Sequence, residues 1–259
     1  MSMSVFLILS SDGNVGKTTL ARFCLRPFLT GARLVDVEEV AVTDGNAKPT
    51  LVIRDAGDTG RPALAAVLRA NIAGTLIVDV GASLYGAVID LLADARTSLM
   101  HTPLVILTPV VIGIDPRKAL AHLGNVAAAL DALALPALRR VLVANRVQAS
   151  ESAVAAYQHL AQWAVEHRYT LCRTLLPDAS VFARGATEGY DLPKLAATDT
   201  AKLEAAAAMY LDAGDFVKMT EVGRELTAVL DAQRIAPVVA ALAAEIFAAA
   251  DKTENANGR

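Results

Sequence analysis

Short apolar runs separated by longer stretches of helical spacing set the pattern of the chain. Runs rich in Val, Ile and Leu, with little period-two alternation, stand at about 4–9, 33–37, 50–54, 75–79, 103–108, 139–144 and 169–175. A strand half exposed to water would alternate, so unbroken runs of this length point to strands covered on both faces, as in a parallel sheet. Between them, apolar positions at helical spacing predict helices over 17–26, 61–73, 83–97, 116–133 and 151–167. Strand and helix in alternation, joined by right-handed crossovers, predict an α/β fold: a doubly wound, mostly parallel sheet of about seven strands.

Local signals place the boundaries. Asp115 before Pro116 is a good N-cap and first-turn pair, and Pro27 is expected to stop or kink the first helix. Helix 17–26 puts Leu20, Phe23 and Cys24 on one face and leaves the other to carry Arg22. After residue 198 the pattern holds no strand. AKLEAAAAMYLDAG, DFVKMTEVGRELTAVLDAQ and APVVAALAAEIFAAA read as three helices, rich in Ala and suited to close packing, and DKTENANGR as a polar tail. The expected organisation is a main domain over 1–197, a helical extension packed on it over 198–250, and a flexible tail over 251–259.

Composition narrows the classes. With 259 residues, 54% of them apolar, the chain can fill the core of one large domain. A formal charge of −3 gives no global reason to expect nucleic-acid binding. The N-terminus lacks a basic segment, VFLIL is too short for a signal core, and the apolar stretches read as shorter than a bilayer span, so a cytoplasmic protein is expected. The two cysteines, Cys24 and Cys172, lie far apart in apolar segments and are expected to be buried thiols. The four histidines, including His122, show no metal-ligand spacing.

Directly after the first apolar run comes SSDGNVGKTTLAR, residues 10–22. Gly13 and Gly16 let main-chain N–H groups of Asn14, Val15 and their neighbours close around phosphate oxygens, and the helix starting near Lys17 turns its positive end to the same place. Lys17 then reaches the terminal phosphates, and Thr18, followed by Thr19, offers a hydroxyl to Mg²⁺. A Gly-Lys-Thr triplet alone is a weak signal. Strand, loop and helix in this order make a strong one.

Further candidates stand at the C-terminal ends of strands, where parallel α/β sheets bind ligands. Asp79 ends TLIVD as a metal-holding acid, and Asp36 ends ARLVD and is followed by Glu38; for both, a cap for the next turn is the alternative reading. Asp55, ending TLVIRD, reads as a turn cap. Asn145 in VLVANRV carries an amide that suits an adenine edge, although a turn residue is an equal alternative. Pro177 and Asp178, in LLPDASVFARG, are placed to shape a loop beside the base.

The loop, the acid after the second strand, LIVDVGAS, VLVANRV and LLPDASVFARGATEGYDL occur in an order that resembles the ParA/MinD group of P-loop ATPases, the deviant-Walker-A class, over about residues 3–195. GNVGKTTLAR with DVGAS is most similar to the StbB-type plasmid-stabilisation proteins. The resemblance implies binding of ATP and Mg²⁺, slow hydrolysis, a nucleotide-dependent homodimer, a small DNA-binding adaptor as partner, and a role in plasmid or mobile-element stability, partition or positioning. It also implies roles: Lys17 on phosphates, Thr18 and Asp79 toward the metal, Asp36 on the attacking water or the metal's shell, and Asn145 on adenine. Direct DNA binding through Arg139, Arg140, Arg168, Arg173, Arg184 and Lys194 is a less favoured expectation, and membrane attachment is not expected from the final helix, which has no basic run.

One residue departs from the family pattern. The signature lysine, five residues before the loop lysine, falls at position 12, where this chain has Asp12. A carboxylate repels polyphosphate, so Asp12 is expected to turn away, capping a turn or pairing with an arginine such as Arg22, or hydrolysis is organised differently. Two other readings stay open at this point: a small-molecule kinase or ligase of the dethiobiotin-synthetase type, and a nucleotide-binding scaffold without turnover.

Overall fold

The structure, a computed structural model, describes residues 5–13, 15–38, 51–52, 62, 65, 75–100, 102–112, 116–147, 153–177, 181–182 and 191–251. The strands are β1 (Val5–Ile8), β2 (Arg33–Glu38), β3 (Leu51–Val52), β4 (Leu76–Val80), β5 (Leu104–Ile112), β6 (Leu138–Val147) and β7 (Thr170–Leu171). Among the described residues these form one seven-stranded sheet in the order β3-β2-β4-β1-β5-β6-β7, with every pairing parallel. The α/β class read from the apolar runs is therefore the observed one. β7 is shorter than the run at 169–175 suggested, and β5 and β6 are longer at their C-terminal ends.

The helix after the phosphate loop, α1, changes pitch along its length: Lys17–Thr19 is α-helical, Leu20–Leu25 is π-helical and Arg26–Phe28 is a 3₁₀ turn containing Pro27. The missing N–H of Pro27 fits this unwinding end. A 3₁₀ turn at Ala82–Leu84 leads into α2 (Tyr85–Asp94), followed by α3 (Arg96–Leu99), α4 (Pro116–Leu133), α5 (Ala153–Glu166), α6 (Leu192–Ala196), α7 (Thr200–Asp212) and α8 (Phe216–Asp251). The helix expected over 61–73 lies mostly outside the described residues, although Pro62 and Ala65 are helical. Asn14, Asp55, Asp178 and Arg184 also lie outside them.

Alternate residues of each strand face two separate apolar cores. On one face Leu7, Leu76, Val78, Leu104, Ile106 and Leu142 pack with Val88 and Leu92 of α2, Leu123 and Leu130 of α4, and Leu160 of α5. On the other, Phe6, Ile8, Ile77, Val105 and Val141 pack with Leu20, Phe23 and Cys24 of α1 and with Ile235, Val239, Leu242 and Ile246 of α8. Both cysteines are free and buried, and burial pushes the Cys172 thiol up to about 12. The unbroken apolar runs are thus explained: both strand faces need a hydrophobic partner.

The C-terminal region corrects the expectation of three helices. Residues 216–233 and 236–250 belong to one 36-residue helix, α8, with Pro237 inside it. An interior proline costs about 3 kcal/mol through its lost N–H and ring clash. Here Pro237 lies on the exposed face, while Ile235 and Val239 on either side are buried in the same core, which holds the helix in register. Joining the segments has a second consequence: α8 contains an 18-residue stretch of mean hydropathy 1.4, long and apolar enough by composition to cross a bilayer, contrary to the sequence reading. Its inward side packs on the sheet. By contrast, α7 buries no residue, and α8 buries none before Ala228.

Glu245 fastens α8 to the segment after β7. Its carboxylate accepts from the backbone N–H groups of Arg173 and Thr174 and, at 2.7 Å, from the Thr174 hydroxyl. Burial raises its pKa, but those three donors and the Arg173 charge outweigh it, so the carboxyl sits below its usual range. A depressed folded pKa stabilises above the unfolded value and loses that contribution as pH falls through the folded one. Glu245→Gln is expected to cost about 1 kcal/mol at neutral pH in denaturant titrations, discounted for its half exposure. The gap to wild type should narrow as pH falls below about 4.3.

Candidate nucleotide site

β1 and β4 lie side by side with Ile8 level with Asp79, and β2 and β4 with Asp36 level with Asp79. The chain leaves β1 toward β2 on one side, whereas after β4 it crosses to β5 on the other, so the sheet's topological switch point falls at the ends of β1 and β4. There the phosphate loop meets the acid at the end of β4. A cavity of about 450 Å³ opens between Gly13, Gly16, Lys17, Thr18 and Thr19 on one wall and Gly81 and Ala82 on the other.

The loop is held from several directions. The backbone N–H of Asp12 donates to Ser10 Oγ at 3.1 Å, and Lys17 Nζ donates to the Asp12 carbonyl oxygen at 2.8 Å, closing the loop on itself. Thr18 Oγ1 donates to Asp79 Oδ2 at 2.6 Å, and Asp79 is only 4% exposed. Asn145 Nδ2 donates to the Val15 carbonyl oxygen at 2.8 Å, tying the loop to β6. Asn145 therefore stands within a strand, pairs through its backbone with Leu176, and reaches the loop; Pro177 follows directly and is half-buried.

The two glycines have different duties. Gly16 has φ +94°, a left-handed conformation, and a Cβ there would lie 2.6 Å from Asn145 Nδ2 and 2.8 Å from Leu176 Cδ2. A Cβ at Gly13 would meet nothing within 4 Å. Gly16 is thus the position where only glycine allows both the turn and the close approach of β6.

Asp12 and Arg22 do not pair with each other. Arg22 Nη2 bonds Asp36 Oδ2 at 2.8 Å, while the Asp12 carboxylate turns to α4, where His122 Nε2 lies 3.5 Å from Oδ1. The other nitrogen of that ring, Nδ1, lies 3.4 Å from Ser11 Oγ. The structure bears out the expectation that Asp12 turns away, and it corrects the partner: Arg22 is one turn too far along α1 and is committed to β2. It also gives His122 a place at the loop that its lone position in the sequence did not signal.

Of the basic residues considered for DNA, those described stand in different settings. Arg140 is paired with Asp131 at 2.8 Å and its side chain is 10% exposed, so it is not a backbone-contacting group. It lines, with Arg168, a cavity at the start of β6, at the opposite end of that strand from Asn145. Arg173 is exposed beyond β7, and Lys194 pairs with Asp191 on α6. Among the described residues no group of three or more His, Cys, Asp or Glu side chains could hold a metal ion by themselves. An oxygen site for a hard cation here would draw on Thr18 and Asp79 together with a ligand's own oxygens.

Gly16→Ala is expected to lose about 1–3 kcal/mol in thermal or chemical denaturation, because the backbone is strained and Asn145 must move. Gly13→Ala should stay within about 0.5 kcal/mol of wild type in the same measurement.

The chain matches no family model and no curated protein. Among solved structures it is similar to apo McdA from Cyanothece, at 14% identity and a TM-score of 0.49, over 89% of this chain and 99% of that one. The ATP complex of a Cyanothece McdA variant aligns at 13% identity and 0.48, over 75% and 91%. A plasmid partition protein from Borrelia burgdorferi B31 bound to AMPPNP aligns at 12% identity and 0.45, over 66% and 86%. The α/β assignment itself rests on the strand order and parallel pairing of this chain.

Proposed function

We propose that this chain is a Mg²⁺-dependent ATPase of the ParA/MinD group, a low-turnover switch acting in plasmid or mobile-element stability, partition or positioning. The observation that carries the reading is the bond from Thr18 Oγ1 to Asp79 Oδ2 at the mouth of the loop cavity. A phosphate loop whose hydroxyl meets a buried acid from a neighbouring strand is the arrangement that nucleotide–metal binding requires. The motifs suit a StbB-type plasmid-stabilisation protein, cytoplasmic, forming a nucleotide-dependent homodimer and working with a small DNA-binding adaptor. The 1–197 unit would carry the nucleotide chemistry, and residues 198–250 would extend it.

The residues fit the cation. A hydroxyl and a carboxylate are hard oxygen donors, few in number, as suits an ion that keeps several waters. When bound, Mg²⁺ neutralises charge on the phosphate oxygens. Lys17, now on the Asp12 carbonyl, provides a mobile cation at the loop, and the N–H groups around Gly13–Thr19 provide fixed donors. Asp36 is the group assigned to orient the attacking water, and Asn145 and Pro177, with Asp178 by sequence, are assigned to the base.

Asp12 sets this chain apart. Facing His122, it supplies no cation to a partner's phosphates, so the cross-dimer activation that a lysine gives is missing and turnover is slow. Lys17→Ala should weaken binding of a fluorescent ATP analogue by about 100-fold, the loss expected for a charge-assisted contact in a partly buried site. Asp12→Lys should raise steady-state ATP turnover. A wild-type rate equal to that of Asp12→Lys would remove the role given to position 12.

A further inference from the structure

Asp36 and Asp79 stand level on adjacent parallel strands, which lie about 4.8 Å apart, at the end of the sheet where the phosphate loop opens. Asp79 is engaged by Thr18. Asp36 is engaged by Arg22, which projects from the π-helical part of α1, five residues beyond Lys17. The contact is made through one atom of each group. Arg22 Nε and Asp36 Oδ1 are both buried and have no hydrogen-bond partner among the described residues. Arginine and carboxylate usually meet through two parallel bonds, so this pair is held in a half-engaged geometry.

We infer that Arg22 is the positioning residue for Asp36: it grips Oδ2 and cancels the charge Asp36 would add beside Asp79. The inference rests on the nucleotide reading of the loop. Three features of the chain support it. Arg22 sits in the π-helical part of α1, and its guanidinium lies on Asp36 of β2. The side chains of Arg22 and Asp36 are 23% and 14% exposed, so solvent screens their charges less than on the surface. Two carboxylates in register, at the place where a polyphosphate would arrive, would repel both each other and the ligand unless one were neutralised. An arginine bound to Asp36 does this without placing a third cation on the phosphates.

The test is a charge rescue. Binding of a fluorescent ATP analogue is titrated in EDTA at low salt for wild type, Arg22→Gln, Asp36→Asn and the double variant, with circular dichroism to confirm folding. Arg22→Gln should bind about five-fold more weakly, because the uncancelled Asp36 charge acts on the ligand over a short distance with little screening. The double variant should return to within about two-fold of wild type, since the charges removed from the site balance. With Mg²⁺ present, single-turnover hydrolysis should fall alike in Arg22→Gln and Asp36→Asn, and the double variant should fall no further than Asp36→Asn. A double variant that binds as weakly as Arg22→Gln would overturn the inference, because Arg22 would then touch the nucleotide or merely brace the helix. Wild-type affinity in Arg22→Gln would overturn it as well. If the wild type itself fails to bind the analogue, the nucleotide reading falls and takes this inference with it; binding by wild type with no rescue sinks the inference alone.

Discussion

The parallel pairing of β1 with β4 is the constraint on which the site depends. It sets Ile8 level with Asp79, so the chain leaving β1 must turn across the end of β4, and Thr18 comes within 2.6 Å of the acid. The pairing is stable because both faces of both strands are buried: Leu7, Leu76 and Val78 on one side, Phe6, Ile8 and Ile77 on the other. A slip of one residue would exchange the two sets and carry Asp79 into a core, where an unpaired charge is very costly. The hydrophobic register of the sheet therefore fixes the polar geometry at its end.

Around that end the charged groups are sorted into separate pairs. Lys17 closes on the loop's own backbone, Asp79 takes the threonine hydroxyl, Arg22 takes Asp36, and Asp12 turns outward to His122 on α4. Each arrangement keeps a like charge from its neighbour. The loop is also anchored from β6 through Asn145, whose close approach requires Gly16. The cavity walls are thus held by strands β1, β4 and β6 rather than by the loop alone.

The C-terminal helix supports this arrangement from behind. The second half of α8 covers the face of the sheet that α1 leaves open, and Glu245 pins the segment that runs from β7 to Leu176, beside Asn145. A helix reading as an appendage in sequence thus joins the core that positions the site. The part of α8 before Ala228 and all of α7 bury no residue.

The sequence by itself determined the layer architecture and the phosphate loop. Short, unbroken Val/Ile/Leu runs alternating with helical stretches fit strands covered on both faces, and the Gly-Asn-Val-Gly-Lys-Thr spacing has a geometry that follows from backbone chemistry. Asp79 and Asp36 were legible for the same reason, as acids that end buried strands. What only the tertiary structure decided were the partners across elements. Arg22, in the π-helical part of α1, meets Asp36 rather than Asp12, and His122 of α4 meets Asp12 at the loop. Asn145 reaches Val15 because β6 runs past the strand end that its apolar run marked. The break read between residues 233 and 236 is absent, since Ile235 and Val239, on either side of Pro237, are buried in one core. Local pattern fixes periodicity and turn chemistry, whereas which side chains meet depends on helix pitch, strand length and burial, and these are set by the whole fold.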